Sequence, residues 1–157
     1  MKKGLVWFLL LLLVVSVGYG VTQARSSLYY QQKLVWLLDG GLKDAHLSLR
    51  RAIAEHDDSI RRNYISEAVN HTRIVSNIIL TLDREAALAG QTQAICHAID
   101  GGLPSTTGLG SKNSKSDAFL QARVDSLWQL IADLNSGDMK DVKWAISIIR
   151  QFVEENS

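Results

Sequence analysis

Apolar residues recur at helical spacing along most of this chain, and the pattern predicts an all-α protein. The first run stands apart. Leu5 to Val17 has only Ser16 as a polar residue; Lys2 and Lys3 precede it, and an uncharged stretch continues to Ala24 before Arg25 ends it. From Leu28 the pattern becomes periodic. Leu28, Val35, Leu42 and Leu49 are seven apart, and Leu38, Ala45 and Ala52 each fall three after the last three of these. That is an a/d seam broken only by Gln31. Gly40 and Gly41 lie inside it without changing its register, which predicts a bend or a close helix contact rather than an end.

A break is expected at Glu55-His56-Asp57-Asp58-Ser59, because Asp57, Asp58 and Ser59 carry oxygens that can accept from the orphan N–H groups of a new helix. The next seam runs Tyr64, Ala68, His71, Val75, Ile78, Leu82, with its a positions at 61, 68, 75 and 82. It is out of step with the first, so one continuous helix would turn its apolar face away; two antiparallel helices joined by a tight turn resolve the conflict. Gly90 marks the following turn, and Gln91 to Asp100 reads as a short helix stopped by Gly101-Gly102. Residues 103–116, rich in Gly, Ser and Thr and holding the sole proline, Pro104, read as a flexible loop. Leu120, Val124, Leu127, Ile131 and Leu134 form the next stripe. Asn135 to Asp138 is a turn, with Asp138 expected to cap a last helix that faces the core through Val142, Ala145, Ile149 and Phe152. The expected architecture is a transmembrane or signal helix over 1–25, then an up-and-down bundle of four main helices plus one short helix over 26–157.

The N-terminal run sets the expected compartment. By the positive-inside rule Lys2 and Lys3 stay in the cytoplasm and the rest lies outside. A cleaved signal peptide would release the domain as a secreted protein, and small residues near 18–24 could serve a peptidase. An uncleaved anchor needs about 20 apolar residues to cross the hydrocarbon, and the uncharged stretch from Gly4 to Ala24 supplies that length. We favour the anchor, with Leu5, Trp7, Leu10, Leu13 and Val17 in the membrane and Tyr19 at its outer interface. The expectation is a single-pass cell-membrane protein with an extracytoplasmic C-terminal domain.

Composition narrows the rest. A formal net charge of +1 over 157 residues leaves no global basic field for nucleic acid. One cysteine, Cys96, permits no internal disulfide; its apolar neighbours Ala94, Ile95, Ala98 and Ile99 favour burial. Half of a haem-attachment motif at Cys96-His97 lacks its first cysteine, and Gly108-Leu109-Gly110 lacks the strand and the Gly-Lys-Ser/Thr ending of a phosphate loop. No cofactor is expected. No nucleophile or carboxylate pair is singled out by spacing, so an enzyme is not expected.

Two groups of residues carry weighable chemistry. About a tight turn at 57–58, residue i opposes roughly residue 115 − i, which sets His71 level with Asp44 and within about one turn of His46. Asp44, His46 and His71 could then bind a metal through nitrogen and oxygen; the plainer alternative is an Asp44–His71 hydrogen bond with His46 in water. Arg50, Arg51, Arg61 and Arg62 gather at the tip far from the membrane and could receive an anionic partner, although Glu55, Asp57 and Asp58 lie among them. Trp36, Trp128 and Trp144 would fill the space between helices or line a cavity.

In outline, one hydrophobic helix followed by a four-helix domain is similar to the sensor modules of bacterial receptors, but no second hydrophobic segment follows in this sequence to return a signal. The leading expectation is a non-enzymatic interaction or scaffold module that associates with itself or with other envelope proteins. The alternative is a ligand- or metal-binding, sensor-like extracytoplasmic module.

Overall fold

In the computed structural model the described residues are 2–84, 90–103, 109–139 and 141–156, with side chains described from Leu13 onward except at 14, 15 and 18. The first element is one helix, α1 (Lys2–Ala54), of 53 residues. At 1.5 Å per residue it is about 80 Å long. No proline interrupts it and both central glycines are accommodated without a break. From Tyr19 to Tyr30 every residue is exposed, and packing begins only at Gln31. Residues 19–30 of α1 therefore form a bare stalk, and the part from Gln31 onward is a wall of the bundle.

The bundle itself contains α2 (Asp58–Leu82), α3 (Thr92–Asp100), α4 (Ser114–Asn135) and α5 (Val142–Asn156), and the described residues contain no strand. α1 and α2 form its hairpin. The Asp57 side chain accepts from the Ser59 and Ile60 N–H groups at 2.8 and 3.0 Å, capping α2 as its sequence implies. Glu55 accepts from the N–H groups of His56 and Asp57, closing the turn. The two helices run antiparallel in the expected register: Ser48 meets Glu67, and Gly41 meets Val75.

Val35, Leu38, Leu42, Ala45, Leu49 and Ala52 are all 0% exposed, so the first seam faces the core as read. At Gly41 a Cβ would lie 2.8 Å from Val75 Cγ2; the glycine marks the close helix contact, and α1 continues unbroken through it. On α2 the expected a positions Arg61, Ala68, Val75 and Leu82 are buried as read, and so is Ile78. The line between them is displaced by one position: Ile65 and Thr72 are buried in place of the expected Tyr64 and His71, and those two are half-buried. α2 packs against both α1 and α3, and its buried face turns to serve both neighbours.

α3 lays Ile95, Ala98 and Ile99 on α2. It ends where expected: Gly101 takes φ +54° and its N–H donates to the His97 carbonyl. Cys96 is half-buried rather than buried, because the apolar stripe of this short helix passes beside it. α4 runs antiparallel to α1, with Asn135 bonded to Asp39 at its lower end and Trp128 against His46 higher up. α5 touches α1, α2, α3 and α4 and closes the core with Val142, Ala145, Ile149, Phe152 and Val153.

Two local expectations are corrected. The cap of α5 is Asp141, not Asp138: the Asp141 carboxylate accepts from the N–H groups of Lys143 and Trp144 at 3.0 and 3.2 Å. The flexible loop expected over 103–116 is fastened at both ends. Leu103 is fully buried, the Leu109 carbonyl accepts from Arg61, and α4 already starts at Ser114 with Asn113 and Ser116 forming a reciprocal capping box. Residues 104–108 lie outside the described residues.

Among the described residues no helix is long and apolar enough to cross a membrane. Most of the 5–17 run, including Leu5, Trp7 and Leu10, lies outside the described side chains; Leu13 and Val17 are 62% and 58% exposed.

Candidate functional site

The tip of the bundle holds the four arginines in two different states. Arg50, Arg51 and Arg62 are exposed. Arg61 is 0% exposed, and it is not available to a partner. Its guanidinium donates to the Ala52 carbonyl at 2.9 Å, to the Leu109 carbonyl at 3.2 Å, to the Ser116 hydroxyl at 3.1 Å and to the Asp117 carboxylate at 2.6 Å. A buried guanidinium is tolerated only with its donors satisfied and its charge paired, and this one ties the end of α1, the 109–113 segment and the first turn of α4 to α2. The remaining cations are also partly engaged with their own surface. Lys112 donates to the Glu55 carbonyl, and the Arg62 stem lies where a side chain at Gly110 would go. Asp57 is held below the usual carboxylate range first by its bonds to the Ile60 and Ser59 N–H groups, with Arg62 adding to the effect. This tip is locked from within.

Asp44, His46 and His71 do not converge. No group of three His, Cys, Asp or Glu residues among the described residues could hold a metal ion. The predicted level of Asp44 with His71 is consistent with the helix register, but Asp44 is exposed and the His46 ring turns toward α4. There it packs on Trp128 with centroids 5.3 Å apart and planes tilted by 33°. Partial burial lowers the His46 pKa, Arg50 lowers it further, and Asp125 opposes both.

The tryptophans do not line an interior cavity. Trp36 and Trp128 are 66% and 58% exposed, and Trp144 covers Gly137 at the α4–α5 turn. Trp36 instead joins Tyr29, Leu37 and Leu47 on the outward side of α1, where all four are exposed. A second arginine does structural work that spacing alone does not reveal: Arg123 donates from Nη2 to the Ala98 and Ile99 carbonyls at 2.7 and 2.9 Å, closing the C-terminus of α3. Burial pulls its pKa down, and Asp100 works against that.

An open cleft lies at the foot of the bundle, between the top of the stalk, the end of α2 and α5. Its volume is about 670 Å³. Asp83, 5% exposed, receives the Arg150 guanidinium in a two-pronged pair at 2.6 and 2.8 Å. Arg84, Lys143 and Tyr30 join Ser27, Gln31 and Thr81 in the polar lining, and Leu34, Leu82 and Ile146 supply its apolar part. Sequence reading missed it because its cations come from separate parts of the chain, each looking like a solvated charge in its own segment. Compared with known protein families, curated proteins and solved structures, the chain gave no match.

Proposed function

We propose that this protein is a non-enzymatic interaction or scaffold module, anchored in the cell membrane by the N-terminal part of α1 and holding its helical bundle outside the cytoplasm. The observation that carries the reading is the continuity of α1. A single helix of 53 residues passes from the hydrophobic run, through an exposed segment over 19–30, into the bundle wall. A helix cannot expose the apolar residues of 5–17 to water on every side without a heavy cost, whereas a bilayer satisfies both those side chains and the helical backbone. Lys2 and Lys3 favour a cytoplasmic N-terminus. The exposed face of Tyr29, Trp36, Leu37 and Leu47 is the surface on which another copy or another envelope protein would pack. The up-and-down order of the helices belongs to the same reading, and the Gly41–Val75, Asp39–Asn135 and Ser126–Asn156 contacts support it.

Fractionation of the full-length chain tests the proposal. It should stay in membranes washed with alkaline carbonate, and protease should reach the bundle only from the extracytoplasmic side. Recovery of the intact chain in the soluble fraction would sink the anchor. Crosslinking from a photoreactive residue at Trp36 should capture a protein neighbour in the membrane; capture of lipid alone would remove the scaffold role.

A further inference from the structure

Building on the anchored reading, we propose that the cleft at the foot of the bundle binds the phosphate group of an anionic membrane lipid. Three cations, Arg84, Lys143 and Arg150, line it against one carboxylate, Asp83, among the described residues. Arg150 is committed to Asp83 through two hydrogen bonds. Arg84 and Lys143 are exposed, and no described carboxylate pairs with either. Two cations in the lining of one cleft, together with Tyr30, suit a phosphate diester better than a carboxylate, because phosphate spreads its charge over oxygens that several donors can share. The apolar part of the lining, which includes Leu34 and Ile146, can take the first carbons of a lipid.

Height along the stalk decides in favour of a lipid. Ala24 is the last uncharged residue of the hydrophobic run and Tyr30 lies six residues on, which is about 9 Å along a helix. The headgroup layer is only about 5–8 Å thick on each side of the hydrocarbon, so an upright anchor sets Tyr30 just above it and Ser27, the lowest lining residue on α1, about 4.5 Å up and within it. Exposed cations at this level can pair directly with the phosphates of the headgroup layer.

The test melts the full-length chain in neutral maltoside micelles with dihexanoyl phosphatidylglycerol, dihexanoyl phosphatidylcholine or inorganic phosphate. Phosphatidylglycerol should raise Tm by several degrees at saturation and phosphatidylcholine should not, since only a ligand that prefers the folded state shifts the midpoint. The double substitution Arg84→Gln with Lys143→Gln should abolish that rise and leave the unliganded Tm unchanged, because neither side chain has an ion-pair partner to lose among the described residues. A rise with inorganic phosphate equal to that with phosphatidylglycerol would overturn the lipid assignment in favour of a soluble anion. No rise with any probe, or one that survives the double substitution, would overturn the site. Carbonate extraction reads the anchor separately, so an empty cleft on a membrane-retained chain removes only this inference.

Discussion

The guanidinium of Arg61 and the carboxylate of Asp117 meet at 2.6 Å, joining the first turn of α2 to the first turn of α4 across 56 residues of sequence. The two partners are unequal. Arg61 is fully buried, while the Asp117 side chain keeps 31% of its exposure. The pair therefore behaves as a buried cation with a partly wet counterion.

That inequality predicts an order of damage. Asp117→Ala strands a buried charge and should cost about 3–5 kcal/mol. Arg61→Met leaves a carboxylate that water can reach and fills much of the vacated space, so it should cost less, about 1–3 kcal/mol. Urea unfolding followed by circular dichroism gives both values; equal losses would show that the charge asymmetry does not matter.

Neighbouring glycines in α1 should respond in opposite directions. A Cβ at Gly40 meets nothing within 4 Å, so Gly40→Ala should stabilise the fold by about 0.5–1 kcal/mol through helix propensity. At Gly41 the same methyl lies 2.8 Å from Val75 Cγ2, and overpacking of about 1–3 kcal/mol should outweigh that gain. Adding Val75→Ala should relieve the clash in Gly41→Ala by more than additivity allows. A double-mutant cycle with no coupling would contradict the close contact.

The α3 terminus offers a similar contrast. Gly101 and Gly102 both have positive φ, +54° and +83°, where an alanine costs about 1–2 kcal/mol. Only at Gly101 would the new methyl also run into the Arg123 guanidinium and disturb its bonds to Ala98 and Ile99. Gly101→Ala should therefore lower Tm further than Gly102→Ala in a thermal melt.

His46 gives the pH dependence. Its folded pKa lies below the ordinary 6.5, first through burial and then through Arg50. The unfolded chain thus binds a proton more readily, and folding favours the neutral ring. Its contribution is complete above about pH 6.5 and declines as pH falls through that value toward the folded pKa. NMR titration should show the low pKa, Arg50→Gln should raise it, and Asp125→Asn should lower it. A His46 midpoint unmoved by Arg50→Gln would discard this electrostatic account.

Much of the fold was legible because a repeated seven-residue spacing admits few alternatives once a core exists. The α1 seam is buried from Val35 to Ala52, and Leu28 fails only because it lies below the level at which packing begins. Arg61 was legible in position but not in role. It occupies an a position of the second seam, yet its charge argued for water, and only the assembled tip provides the carbonyls and carboxylate that make burial tolerable. Trp36 was misjudged for the opposite reason: its size suggests a core, but it lies about 100° around the helix from Val35. The foot cleft could not be foreseen, since helix packing alone brings Arg84 and Lys143 into the lining of one cleft.

The unjointed course of α1 has one last implication. Adding a single residue between positions 22 and 28 would raise the head by about 1.5 Å and swing it through about 100°, pointing the Trp36 side in a new azimuth. Three or four added residues would nearly restore the original bearing at a greater elevation. Natural changes in stalk length should therefore come in whole turns wherever the heading of the head matters.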